Sequence, residues 1–141
     1  MAISFHSEGI RFELKQKLRH KQWIEKCIQS YKKIPGELSF IFTSDEQLLL
    51  MNRKYLDHDY FTDVITFDYT VGDIISGDIY IGVDQVNKNA AFYGVEPEEE
   101  LRRVMVHGIL HLLDYKDVSS EEKRAMRKKE NEALHLWLKP G

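Results

Sequence analysis

The sequence predicts an α+β (mixed α/β) fold: a small four-stranded mixed sheet packed with about five helices, with a metal site on a helix of the C-terminal half. Three observations carry this. Runs rich in aromatic and branched residues, such as Leu38–Thr43 and Val64–Phe67, read as strands. Other stretches repeat their apolar residues every three or four positions, as amphipathic helices do. The two kinds of segment follow one another in the order β-α-β-α-β-β-α-α-α, with one strand pair facing each other across a turn.

Taken in order, residues 2–7 alternate, with Ile3 and Phe5 on one face and Ser4 and His6 on the other, and Glu8 and Gly9 turn the chain. From Arg11 to about Tyr31 the pattern is helical: Leu14, Leu18, Ile24 and Ile28 fall near one stripe, while Lys15, Lys17, Arg19 and Lys21 lie elsewhere. Ile34, Pro35 and Gly36 end that helix, and residues 38–43 form a buried strand. Ser44 or Asp45 can cap a helix running through Leu48, Leu49 and Met51 to about Tyr55. Residues 56–63 form a polar, aromatic-laced loop. The strand Val64–Phe67 has its antiparallel partner in Gly77–Gly82, across a turn near Val71, Gly72 and Asp73. Asp84 can cap a short helix that stops at Gly94. Pro97 suits the first turn of the next helix, and Glu98, Glu99 and Glu100 complement its positive end. Ser119 and Glu122 make a capping box for the last helix. That helix turns Met126, Ala133, Leu134, Trp137 and Leu138 inward, and Pro140 stops it.

A chain of 141 residues, 43% hydrophobic and 30% charged, suits a single domain over 1–141. No apolar stretch approaches a membrane span, so no membrane partner is expected. The first residues lack the charged and apolar blocks of a signal peptide. Cys27 is the only cysteine, which excludes an internal disulfide and makes a reducing, cytoplasmic setting the default. The net charge of −3 does not advertise nucleic-acid binding, although it leaves room for a local basic face.

The chemistry concentrates at residues 104–117. His107 and His111 stand four apart in an apolar run, so on a helix both rings project from one face, one turn apart. Two imidazoles so placed can reach one metal ion. Asp117 follows just past a helix end at Asp114 and Tyr115, where the chain can fold back and supply a third ligand. The pattern His-x3-His-x5-Asp reads as a zinc site, one ion per chain, with an open position. Ordinary packing of the histidines and turn chemistry at Asp117 are the competing readings. A peptidase of the His-Glu-x-x-His type would place its base at the position of Gly108, so the residues point to hydrolysis of something other than a peptide.

The run from His107 to Asp117 resembles the hallmark of the YbeY family of metal-dependent endoribonucleases, His-Gly-x-Leu-His-Leu-x-Gly-Tyr-Asp-His. Leu50, Asn52 and Tyr55, then Thr62 to Phe67, are similar to its Leu-Asn-x-x-Tyr-Arg and Thr-Asp-Val-Leu-Ser-Phe blocks. Gly77-Asp78-Ile79 resembles its Gly-Asp-Ile strand, and Met126 and Glu130 match a downstream Met and Glu. Three positions depart. Asp117 stands where the family has histidine, Asp114 and Lys116 flank Tyr115 where it has Gly and Asp, and Leu56 replaces its basic residue.

The resemblance implies a single-strand-specific nuclease hydrolysing RNA phosphodiesters. It further implies ribosomal RNA and the small ribosomal subunit as partners, with roles in 16S rRNA 3′-end maturation and ribosome quality control. His107, His111 and His58 are the catalytic candidates, with His58 as a proton shuttle or merely an exposed loop histidine. Arg53, Lys54, Arg102 and Arg103 are candidates for phosphate contacts, against a solvated surface. Glu130 can orient a ligand or form a surface salt bridge, and Thr62 and Asp63 can line the cleft or start the strand. His6, His20 and His135 have no partner at ligand spacing and read as structural or exposed, and Cys27 as core. The alternatives to a nuclease are a ribosome-assembly factor with a structural metal and, against Gly108, a metallopeptidase.

Overall fold

The computed structural model describes residues 3–56 and 62–139. Its strands are β1 (Ile3–Ser7), β2 (Ile34–Thr43), β3 (Val64–Asp68) and β4 (Ile74–Gly82). Its helices are α1 (Lys17–Gln29), α2 (Asp45–Tyr55), α3 (Val83–Tyr93), α4 (Pro97–Leu112) and α5 (Ser120–Leu138). The sheet is mixed and ordered β1-β2-β4-β3: β1 and β4 run parallel to β2, and β3 closes the edge antiparallel to β4. This is the α+β class expected from the segment order.

Strand alternation sorts the core into two faces. Phe40, Phe42, Ile79 and Ile81 join residues of α1, α4 and α5 in the main cluster. Ile65 and Tyr80, opposite one another in the β3–β4 register, turn to the other face and pack with Leu48 and Met51 of α2. The helix α4 lies against β3 and β4, with α3 and α5 as its flanking neighbours. Trp23 of α1 ties α5 in by donating its indole N–H to the Ala133 carbonyl at 2.7 Å.

Several boundaries and burial assignments differ from the sequence-based expectation, each for a physical reason. The first helix starts at Lys17, not near Arg11, because Gln16 adopts a left-handed conformation (φ 55°) that breaks any earlier turn. Its inward stripe is His20, Trp23, Ile24, Cys27 and Ile28, which leaves Leu18 on the opposite side and 67% exposed. Leu14 is buried all the same, from the preceding loop. Pro35 and Gly36 lie inside β2 rather than ending α1; β1 pairs only from Leu38 onward, so proline sits where one strand edge is free. In α5, Leu138 is exposed, and the buried stripe is Met126, Glu130, Ala133 and Trp137.

Helix caps follow the expected chemistry with one exchange. The Ser44 hydroxyl accepts from the Gln47 N–H, and Ser119 and Glu122 form the full capping box. Asp84 does not cap α3. That role falls to Asp45 of α2, buried, whose Oδ1 accepts from the Gln85 N–H at 3.1 Å.

Candidate metal centre

The helix α4 brings the first two donors together. Leu101, Val104, Met105, Gly108, Ile109 and Leu112 turn into the core, so an adjacent face carries Glu100, Arg103, His107 and His111 at steps of three and four. Gly108 sets how closely the helix approaches the sheet. A Cβ there would lie 2.8 Å from Ile79 Cγ2 and 3.2 Å from Thr66 Cγ2. No carboxylate base fits at that position, because it is pressed against β3 and β4.

Just past α4 the chain reverses. Asp114 takes φ 73°, a left-handed conformation that favours glycine. An aspartate makes the turn here, a residue type that tolerates this region. The reversal carries the Tyr115 carbonyl to 3.1 Å from His111 Nδ1. It also returns the Asp117 carboxylate to the two rings.

The three donors converge. His107 Nε2 and His111 Nε2 are 3.0 Å apart, Asp117 Oδ2 is 3.2 Å from His107 Nε2, and Asp117 Oδ1 is 3.7 Å from His111 Nε2. Tetrahedral zinc with bonds of about 2.0–2.1 Å would space its donors roughly 3.3 Å apart, so this set fits such an ion. The proton positions agree. His107 Nδ1–H donates to Glu130 Oε2 at 2.6 Å, and His111 Nδ1–H donates to the Tyr115 carbonyl. With both Nδ1–H groups so committed, the two Nε2 atoms face one another, an arrangement that calls for a shared cation or proton.

Behind the rings lies a charged relay. Arg103 donates to Glu130 Oε1 at 3.0 Å and to Asn131 Oδ1 at 2.9 Å. Burial works against the Glu130 charge, but the hydrogen bond and charge of His107, and then those of Arg103, outweigh it and hold its pKa below the ordinary value. Burial likewise disfavours His107 imidazolium, yet Glu130, with Asp117 and Asp63, raises its pKa above 6.5. His111 is pushed the other way, by burial and then by the neighbouring His107.

Of the metal donors, His107 and Asp117 open on a cleft of about 340 Å³ that includes Asp63, Glu100, Arg103, Lys123, Arg127 and Glu130. Asp63 thus lines the cleft; Asn89 donates to its Oδ2 at 3.3 Å, and burial raises its pKa. Thr62 bonds the Val64 carbonyl at the start of β3. Arg103 enters the cleft with its guanidinium engaged by Glu130 and Asn131. Arg102 lies elsewhere, over the Trp137 ring. Arg53 and Lys54 are exposed at the end of α2, where the exposed Leu56 follows. His58 lies outside the described residues. His20 is buried, and Cys27 is a core residue.

Sequence reasoning passed over Glu100, Asn89, Tyr93, Lys123 and Arg127. A signal existed for some of them. Glu100 shares the helical face of His107, seven residues before it, where a carboxylate is buried only if paired. For Asn89 and Tyr93, on α3, local sequence carried no signal.

Comparisons with known proteins agree with this geometry. A family model described as endoribonuclease YbeY matches residues 3–137. A Flavobacterium psychrophilum protein named endoribonuclease YbeY is 47% identical over 135 residues, covering 96% of each chain. A Bacteroides thetaiotaomicron protein of the same name is 44% identical over 136 residues, covering 96% of this chain and 99% of the relative. The solution structure of a Thermotoga maritima protein superposes with a TM-score of 0.67 at 25% identity, covering 96% of this chain and 89% of the other.

Proposed function

The chain belongs to the YbeY family of endoribonucleases, nucleases acting on RNA. From that premise we propose that it is a zinc-dependent, single-strand-specific endoribonuclease that matures the 3′ end of 16S rRNA and serves ribosome quality control. Its partners in this reading are ribosomal RNA and the small ribosomal subunit, and its setting is the cytoplasm. Among the described residues no helix is long and apolar enough to cross a membrane.

The observation that carries the reading is the convergence of His107 Nε2, His111 Nε2 and Asp117, with both Nδ1 atoms committed elsewhere. These three residues would hold one zinc per chain. When bound, zinc supplies Lewis acidity, lowering the pKa of water and polarising a phosphoryl oxygen. The protein's own groups do the rest. Glu130 and the Tyr115 carbonyl fix the two rings in the tautomer that presents Nε2. Arg103 keeps Glu130 charged. Lys123 and Arg127 put positive charge on the cleft wall, where a phosphodiester must lie. Asp63 is a cleft carboxyl whose pKa burial raises, which favours its protonated form.

The test joins metal content, measured after purification without chelator, to cleavage of a ribosomal RNA precursor by wild type and Asp117→Ala. Stoichiometric zinc and wild-type cleavage that falls sharply in the variant are expected. Protein without stoichiometric metal would overturn the zinc assignment. A metal-loaded protein that cuts no RNA would favour the assembly-factor reading, with a structural ion.

A further inference from the structure

A second cavity, of about 430 Å³, shares no lining residue with the metal cleft. Phe12, Leu14, Val86, Leu101 and the Trp137 indole form its apolar walls. Three nitrogen-bearing side chains gather on that indole. The Arg19 guanidinium lies 3.8 Å and that of Arg102 4.3 Å from the Trp137 ring centroid, and the His20 ring 4.6 Å. Arg19 also donates to the Trp137 carbonyl at 2.7 Å. Among the described residues neither arginine has a carboxylate at ion-pair distance.

Two buried side-chain atoms lack a hydrogen-bond partner among the described residues: Nε2 of His20, a residue only 4% exposed, and Nε of Arg102. Both residues line this cavity. Buried polar atoms nearly always find partners, so two bare ones on a single cavity point to a group that enters it.

The missing partners have a definite chemistry. Arg102 Nε–H only donates and asks for an oxygen acceptor, best an anionic one. His20 Nδ1 must donate to the Gln16 carbonyl at 2.9 Å, so Nε2 of the neutral ring accepts and asks for an N–H or O–H. Burial, with Arg102 and Arg19 nearby, keeps that ring neutral. The walls ask for a flat, apolar body. A nucleoside monophosphate meets all three demands: a phosphate for the two guanidiniums, an N–H on the base or an O–H on the sugar for His20, and a base face for the walls. An inorganic anion has no body, and a fatty acid offers no donor.

We propose that this cavity binds a flat organic anion of the nucleoside-monophosphate kind at a site separate from the metal centre. The ligand is either a free nucleotide or the phosphorylated end of an RNA. The cavity geometry carries the assignment independently of nuclease activity, and so does its test.

Trp137 lines the cavity, and the chain's other tryptophan, Trp23, packs edge-on against it at 5.7 Å, so intrinsic fluorescence reads the cavity. The purified full chain, with the metal it carries, is titrated with AMP, GMP, CMP and UMP. Adenosine, inorganic phosphate and octanoate serve as comparisons. A short RNA with and without a 5′-phosphate separates the two sources. A saturable change is expected for at least one nucleotide or for the phosphorylated RNA, with the comparison compounds weaker. Arg102→Met, which keeps the stem over the indole, should weaken binding at least about tenfold, the worth of a hydrogen bond to a charged group. Arg19→Gln provides a second reading if that variant fails to fold, and Asp117→Ala should bind as the wild type does. No saturable change from any nucleotide or from the phosphorylated RNA at millimolar concentration would overturn the proposal. So would equal affinity in the folded arginine variants, or phosphate or octanoate binding as tightly as the nucleotides.

Discussion

At Asp117 a carboxylate stands 3.2 Å from His107 Nε2 as the third candidate donor. Loss of this donor by Asp117→Ala should lower zinc affinity by at least about tenfold, since even outer-shell losses cost about 10–100-fold in metal sites. Asp117→His should return affinity to near the starting level by completing a three-nitrogen set. Competitive zinc titration of the three proteins measures both, and unchanged affinity in folded Asp117→Ala removes Asp117 from the site. His107 keeps its proton above its ordinary value of 6.5 in the metal-free protein. Its pair with Glu130 therefore adds stability that is complete below about pH 6.5 and is lost as pH rises through the raised value. Metal and proton compete for Nε2, so zinc affinity climbs over that same rise. Glu130→Gln removes the charge that raises the value, and the His107 titration, followed by NMR in metal-free protein, should fall back toward the ordinary range. A His107 titration indifferent to this substitution would mean that Glu130 does not control the ring.

Among the elements, α4 bears both the core and the site, and Gly108 decides how closely it lies on the sheet. Gly108→Ala places a methyl 2.8 Å from Ile79 Cγ2 and 3.2 Å from Thr66 Cγ2, which the packed sheet cannot fully yield. The gain in helix propensity, at most about 1 kcal/mol, works against an overpacking cost of roughly 1–3 kcal/mol. A net loss of stability is therefore expected, read as a lower denaturant midpoint, with weaker zinc binding because His107 is the adjacent residue. A variant as stable as the wild type would show that the helix can lift without disturbing the site. The face of α4 was legible as soon as His107 and His111 were seen four residues apart. The start of α1 was not. Its apolar pattern runs back to Leu14, and only the left-handed Gln16 shows that Leu14 is buried from a loop while Leu18 faces outward.

Over the whole molecule, a net charge of −3 coexists with a cleft that gathers Arg103, Lys123 and Arg127 beside the metal donors. Neutralising Lys123 and Arg127 to Gln should weaken single-stranded RNA binding across sequences and lower the salt slope by about 0.7 for each phosphate no longer neutralised. Arg102→Gln, away from the cleft, should leave that slope alone for an RNA without a terminal phosphate. Affinity measured against salt decides it, and a slope unmoved by the double substitution places the RNA elsewhere. The distances over which the groups act explain what could be read in advance. Periodicity, caps and the His-x3-His-x5-Asp spacing are local, spanning a few turns of chain, so the amino-acid order alone specified the element types, the α+β class and all three candidate metal donors. Contacts between residues far apart in the chain leave no such local trace. The strand order β1-β2-β4-β3, Asp45 capping α3, Arg103 bracing Glu130 and Lys123 and Arg127 on the cleft wall arise from packing between elements distant in sequence. Burial settles their partners, and it exists only once the sheet and its helices have closed on one another.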